Sequence, residues 1–262
     1  MPLSKNKIQL IERLKTRKGR VREALVLVEG VRCVEEALAA GVKVRFVVQS
    51  PRLLEGEAGT ALAGSVSERG LPVDLVEDQD LSWMAATEHP QGILLVCQEP
   101  KGELSALSGR AGGPILLLDA IQDPGNLGTL IRVARAFGVS TVVALDGSVD
   151  PWNAKAVRAS SGAGFHLDVV RAKWSEVVPW LESGDVQLLV ADADGRDVSA
   201  VEPTNSWALA VGNEGAGLRA ELMEAAADKI AIPMGEGADS LNAGVAGSIL
   251  LYVLTTKGSD AL

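Results

Sequence analysis

The segment DPGNLGTLIR, Asp123 to Arg132, sets a restricted turn, an uncharged amide and a guanidinium within one strand-turn-helix unit. Pro124 fixes φ, Gly125 frees it, and Asn126 stands where a side-chain oxygen is expected to cap the helix that follows. Arg132 comes soon after, so both side chains are expected around one ligand at the carboxyl edge of a sheet. Taken alone, the segment reads equally well as a capped helix with a surface arginine.

Two later loops shift that balance. VGNEGAGL, Val211 to Leu218, carries Gly212, Gly215 and Gly217, which let backbone approach a ligand or turn tightly, and Glu214 as a charge at the tip. In the third, Pro233 ends an apolar strand, Ser240 is placed to cap the final helix, and Asn242 falls in its first turn. Ala243, Gly244, Ala246 and Gly247 then give that helix one small face, suited to tight packing. Gly215, Gly217 and Ala220 also fit part of the dinucleotide fingerprint, with Glu236 and Asp239 downstream, which leaves a nicotinamide-dependent enzyme as an alternative. Other reactive chemistry is sparse. Cys33 and Cys97 read as small core residues, and His89 and His166 adjoin no Ser or Cys motif, so neither a triad nor a metal centre is expected.

The elements that must position these loops form two alternations. Up to Gln98 the pattern predicts a helix at Ile8–Leu14, strands in LVLVEG, VKVRFVVQ, LPVDLV and GILLVCQ, and helices at Val31–Gly41 and Gly59–Arg69, a small α/β sandwich. From Pro114 the strands ILLLDA, STVVAL, FHLDVV, QLLVADA, WALAV and KIAIPM alternate with helices. Their near-continuous apolar runs predict a parallel sheet covered on both faces, whose ligands gather at the strands' carboxyl ends. Gly and Ser between Pro100 and Gly113 mark a linker, dividing the chain into residues 1–105 and 106–262.

The net charge of −9 is unevenly placed. Residues before Pro114 balance 15 Lys+Arg against 15 Asp+Glu, and the acidic excess lies wholly beyond it. Within the first 22 residues Lys5, Lys7, Arg13, Lys15, Arg17, Lys18, Arg20 and Arg22 face Glu12 alone, a concentrated basic arm of the kind that binds nucleic-acid phosphates. No apolar run approaches the roughly 18 residues of a membrane span. The charged N-terminus lacks a signal peptide's apolar stretch, so a cytoplasmic protein with no membrane or metal partner is expected.

DPGNLGTLIR, GNEGAGL and IPMGEGADSLN, in that order, resemble the three motifs of the SpoU/TrmH-type (SPOUT superfamily) RNA 2′-O-ribose methyltransferases. The resemblance is strong over Pro114 to Tyr252. It is looser over KNKIQLIERLKTRKGRVREALVLVEG, which looks like the substrate-binding domain of two-domain members, including 23S rRNA methyltransferases. It implies a C-terminal α/β domain with a trefoil knot, S-adenosyl-L-methionine bent in the knotted loops, and a homodimer. Carried over motif by motif, Asn126, Arg132, Glu214, Ser240 and Asn242 become the catalytic set. Gly212, Gly215, Ile232, Met234 and Leu241 become the methyl-donor site. The sequence departs from the family at Ala243 and Gly244, where a valine and a serine are commoner, which bears on helix packing more than on chemistry. The implied function is methyl transfer to a ribose 2′-hydroxyl of RNA, most simply 23S ribosomal RNA, with tRNA or a catalytically silent RNA-binding module as alternatives. With few aromatics, recognition by RNA shape and backbone is expected, the target base being splayed out.

Overall fold

The computed structural model describes residues 3–102, 104, 113–235 and 241–257. It divides into two compact units, Met1–Pro100 with Trp152–His166, and Lys101–Pro151 with Leu167–Leu262. The Gly/Ser-rich linker falls largely outside the described residues.

In the first unit, helices α1 (Lys5–Leu14) and α2 (Arg17–Glu23) precede strand β1 (Leu25–Glu29). Helix α3 (Val31–Ala39), strand β2 (Val44–Gln49), helix α4 (Glu57–Glu68), strand β3 (Val73–Leu75), helix α5 (Asp78–Met84) and strand β4 (Ile93–Gln98) follow. The sheet order is β1-β4-β2-β3, antiparallel except for the parallel β2/β3 pair. β4 is the most continuously apolar strand because it is an inner one, and Ile93 through Cys97 are all buried. Ile11 and Leu14 of α1 pack with Leu27, Phe46, Leu94 and Val96 into one core. The amphipathic α1 therefore buries a stripe and leaves its lysines outside.

This unit also takes a piece of chain from much later in the sequence. Helix α7 (Ala154–Ala159) and the 3-10 turn Ala163–His166 pack on β1 and α3. Arg158 Nη1 lies 3.2 Å from Oε2 of Glu29, a carboxylate only 2% exposed that also accepts from the amides of Ala86 and Thr87. His166 Nε2 meets Glu36 Oε2 at 2.8 Å, and Trp152 stacks on Phe165 with centroids 5.2 Å apart. The strand expected at FHLDVV accordingly begins only at Asp168.

The second unit holds β5 (Ile115–Leu118), α6 (Pro124–Ala136), β6 (Thr141–Leu145), β7 (Asp168–Ala172) and α8 (Trp174–Ser183). It continues with β8 (Gln187–Asp197), β9 (Trp207–Val211), α9 (Ala220–Ala225), β10 (Asp228–Ala231) and α10 (Ala243–Lys257). All five neighbouring pairs are parallel, in the order β10-β8-β9-β5-β6-β7. β5, β6 and β9 are buried throughout, as their unbroken apolar runs require of central strands. The strand order reverses between β5 and β9, so the loops after these two strands flank the switch point where α/β sheets bind ligands.

Neither cysteine is available for chemistry. Burial pushes the Cys33 thiol up to about 11 and the Cys97 thiol up to about 12, and the thiolate is the reactive form. A thiol reagent at pH 8 is therefore expected to label neither residue in the folded protein and both after denaturation. Rapid labelling of the native chain would show that one of these packing environments opens.

Candidate active site

The end of β5 is tied to the loop after β9 by a single carboxylate. The Asp119 amide donates to the Val211 carbonyl at 2.9 Å, continuing the β5/β9 pairing by one residue. Its carboxylate, on a residue 2% exposed, accepts from the backbone N, Nε and Nη2 of Arg219 at 2.8, 2.8 and 2.5 Å. The Asp146 carboxylate receives Arg219 Nη1 at 3.1 Å, and the Asp146 carbonyl receives Nη2 at 2.8 Å. Hydrogen bonding to Asp119, more than the charge of either acid, raises the Arg219 guanidinium above its already high ordinary value. Arg219 is the N-cap residue of α9, so Asp119 fills the place at that helix start where a dinucleotide's pyrophosphate would lie. That occupancy removes the dinucleotide reading of Gly215, Gly217 and Ala220.

Asn213 shapes the loop from within. Its Oδ1 accepts from the Gly215 and Ala216 amides at 2.9 and 3.0 Å, while its Nδ2 donates to the Ala120 carbonyl at 3.1 Å. Ala120 is held at φ 53°, a left-handed conformation costing an alanine about 1–2 kcal/mol. Gly212 is required because the loop folds back on itself: a Cβ there would lie 2.5 Å from the Gly217 carbonyl oxygen. Asp119, Asn213 and Arg219 were not singled out from sequence, since each acts through partners distant along the chain or through the backbone.

The expected residues distribute as follows. Asn126 is not the helix cap. Asp123 is, accepting from the Asn126 amide at 2.8 Å, with Pro124 at the first helical position. A residue before proline is pushed into extended geometry, and an N-cap needs that geometry. The Asn126 side chain is thereby freed, and its Nδ2 donates to Glu214 Oε1, joining the first loop to the second. Glu214 thus engages Asn126 rather than Arg132. Asn242 is itself the cap of α10: its Oδ1 accepts from the Gly244 and Val245 amides at 2.9 and 3.3 Å. A Cβ on Gly244 would stand 3.1 Å from Asn242 Oδ1 and 3.2 Å from Asn126 Oδ1, so the starts of α6 and α10 abut there. This explains the glycine at a position where the family more often has a serine. Ser240, Glu236 and Asp239 lie outside the described residues.

Arg132 stands apart from this cluster. It is exposed, lies about 120° around α6 from Asn126, and makes no hydrogen bond or ion pair among the described residues. An unpartnered guanidinium beside a ligand loop suits an anion delivered from outside.

A cavity of about 520 Å³ opens among β8, the loops after β9 and β10, and the start of α10. Gly212, Gly215, Ile232, Met234 and Leu241 all line it, together with Glu214, Asp192 and Leu218; Asn126, Arg132 and Asn242 do not. Met234 and Leu241 are 41% and 37% exposed, apolar walls facing open space. The lining combines an apolar slot, glycine backbone and two carboxylates, which suits a nucleoside ligand bearing a positive centre. Among the described residues there is no cluster of His, Cys, Asp and Glu able to hold a metal, and no helix is long and apolar enough to cross a membrane.

The basic arm is only partly free. Lys7 pairs with Asp74 at 2.5 Å and lies over the Phe46 ring, Arg13 pairs with Glu23 at 3.0 Å, and Lys15 with Glu12 at 2.7 Å. Arg20 departs from the expectation of an RNA contact: it is 3% exposed and donates to the Leu14 carbonyl at 2.9 Å, locking α2 onto α1. Lys5, Arg17, Lys18 and Arg22 are exposed and show no ion pair among the described residues.

Comparison with known proteins agrees with this arrangement. Residues 113–252 match the SpoU rRNA Methylase family, and residues 5–95 match the MRM3-like substrate binding domain. The chain is 35% identical over 250 residues to the 23S rRNA (guanosine(2553)-2′-O)-methyltransferase RlmP of Bacillus subtilis, covering 95% of each. It is 30% identical to the 23S rRNA (uridine(2479)-2′-O)-methyltransferase of Streptomyces viridochromogenes, covering 91% of this chain and 85% of the relative. Among solved structures, the AdoMet-bound rRNA methyltransferase from Sinorhizobium meliloti superposes with a TM-score of 0.84 at 29% identity, covering 97% of this chain and 95% of that one. With loops tied together at the carboxyl ends of a parallel sheet and this likeness along nearly its whole length, the chain belongs to the SpoU rRNA methylase family.

Proposed function

We propose that this protein transfers a methyl group from S-adenosyl-L-methionine to a ribose 2′-hydroxyl of RNA, with ribosomal RNA of the large subunit as substrate. The observation that carries this reading is that the second and third loops line one cavity, while the Asn126–Glu214 hydrogen bond ties the first loop to the second. Ribosomal RNA is favoured over tRNA because relatives matching both halves of the chain, the N-terminal substrate-binding half included, are named for 23S rRNA. A silent RNA-binding module is disfavoured, since it has no use for a clamp that holds a ligand loop in shape.

When bound, S-adenosyl-L-methionine supplies a methyl group activated on a sulfonium. Asp192 and Glu214 place negative charge in the cavity wall, complementary to that centre, and Ile232, Met234 and Leu241 offer apolar surface to an adenine. Gly212 and Gly215 expose loop backbone for polar contacts. Asn126 and Glu214 fix the mouth of the loop, Asn242 sets the start of α10, and Ser240 belongs to the catalytic set by family resemblance. Arg132 grips the phosphate of the target nucleotide and stabilises charge developing on its 2′-oxygen; arginine stays protonated, so the proton passes to that phosphate rather than to the side chain. Lys5, Arg17, Lys18 and Arg22, with the paired Lys7, Arg13 and Lys15, supply the remaining backbone attraction. Holding both reactants aligned supplies most of the rate.

The reading includes a trefoil knot and a homodimer. Support for the knot is that Ile232, Met234 and Leu241 line the cavity and that the start of α10 abuts the start of α6. Support for the dimer is α10 itself, apolar all round yet exposing Val245, Ile249 and Tyr252 at 47%, 36% and 53% on one face. The reading also includes a cytoplasmic location, which a ribosomal RNA substrate supports.

Arg132→Ala should cut methyl transfer by about a hundredfold or more while S-adenosyl-L-methionine binding, read by calorimetry, changes little. Loss of cofactor binding instead would sink the assigned role. Asp119→Ala should do the opposite, weakening cofactor binding by about tenfold or more because the loop is no longer preorganised; unchanged affinity would show the clamp to be irrelevant. Replacing Val245 and Ile249 together by Glu should turn the dimer into a monomer by light scattering. A wild-type chain already monomeric at assay concentration would contradict the dimer.

A further inference from the structure

A cavity larger than the one described above lies elsewhere in the chain. About 810 Å³ opens on the first unit, lined from α1 by Ile8, from the end of β2 by Gln49 and the turn after it by Leu53 and Leu54, from β3 by Leu75, and from α5 by Asp80 and Trp83. Nothing in the proposed chemistry uses it. Its rim concentrates the exposed apolar side chains of that unit: Ile8, Leu54, Leu75 and Trp83 are 40%, 60%, 67% and 76% exposed. Isolated exposed apolar residues are ordinary, but four around one cavity mark a binding surface.

Three observations select the occupant. The basic helix forms part of the wall, since Ile8 lies on α1 next to Lys7, and Lys15 at the helix end donates its Nζ to the Trp83 carbonyl at 3.3 Å. An exposed aromatic beside a basic stripe is the arrangement that binds single-stranded nucleic acid, phosphates on the cations and a base on the ring. The polar lining, in contrast, is acidic: Glu77 and Asp80 exclude a phosphate from the interior and accept from base N–H groups. Gln49 adds a donor, its Nε2 being buried without a hydrogen-bond partner among the described residues. The domain match over residues 5–95 to a substrate-binding module points to the same class of ligand.

We propose that this cavity holds an unpaired nucleotide of the RNA substrate, its base stacked on Trp83 and its exocyclic amino group read by Glu77 and Asp80, with its backbone phosphates on α1 and α2. That amino group carries two N–H donors, one for each carboxylate, which sets a preference for bases bearing it over uracil, whose single donor is a ring N–H. The proposal rests on RNA being the substrate and adds a recognition point away from the reacting ribose. It also alters the expectation of recognition by shape and backbone alone.

The test uses the full chain and labelled oligoadenylate, oligocytidylate, oligouridylate and an abasic ribose-phosphate oligomer of equal length, with affinity read by fluorescence anisotropy. Oligoadenylate and oligocytidylate should bind more tightly than oligouridylate, and all three more tightly than the abasic chain. Trp83→Ala should weaken the first two by about tenfold or more, Trp83→Phe should retain most of the affinity, and S-adenosyl-L-methionine binding should stay unchanged in both. Equal binding of the abasic oligomer, or no effect of Trp83→Ala, overturns the pocket. So does a drop in oligomeric state with Trp83→Ala in light scattering, because the patch would then belong to a protein contact. Trp83-dependent binding in a chain that methylates no ribosomal RNA would leave the pocket standing and overturn the proposed activity. Normal methylation with an unchanged RNA KM in Trp83→Ala would do the reverse.

Discussion

The arrangement of the ligand loops depends on one buried ion pair. Asp119 is 2% exposed and carries a charge that the interior cannot hold without partners. Arg219 satisfies it three times over, once through its backbone, and in doing so fixes where the loop after β9 ends and α9 begins. Removing one partner of such a pair costs about 3–5 kcal/mol. The same geometry lets Asn213 brace Ala120 and lets Glu214 reach Asn126. The parallel β5/β9 pairing brings Asp119 and Arg219 together, although they are a hundred positions apart in sequence.

Much of this was legible in the chain. The runs ILLL, TVVAL and WALAV could only be inner strands of a covered sheet, and the loops following two of them carried the glycines and polar residues of a site. The five residues assigned to the methyl donor line one cavity, because glycine-rich loops at adjacent carboxyl ends have nowhere else to converge. What escaped has physical causes. Asn126 read as a cap because it suits one, but the restriction that Pro124 places on Asp123 decides the matter. Arg20 read as part of a basic face, although helical periodicity turns it inward under α1. Helix α5 is short and half polar, and α8 holds Pro179 in its interior, so neither shows a clean apolar period. The return of residues 152–166 to the first unit rests on Glu29 meeting Arg158, a pairing across 129 positions that no local pattern encodes.

Charge is divided as the two tasks require. The cations concentrate on α1 and α2, where an RNA backbone is attracted, and half of them are tied to acids or carbonyls that hold those helices together. Arg132 is left exposed on α6 and unpaired among the described residues. Acidic side chains line both cavities, which keeps phosphates at their mouths and leaves the interiors to a cationic cofactor in one and a base edge in the other.

The most direct measurement incubates the protein with radiolabelled S-adenosyl-L-methionine and unmodified 23S ribosomal RNA, then separates the RNA after alkaline and after enzymatic digestion. Label in a single 2′-O-methylated nucleoside, within a dinucleotide that resists alkali, is the expected result. Label on a base, or none transferred to any ribosomal RNA by a chain that binds the cofactor, would contradict it.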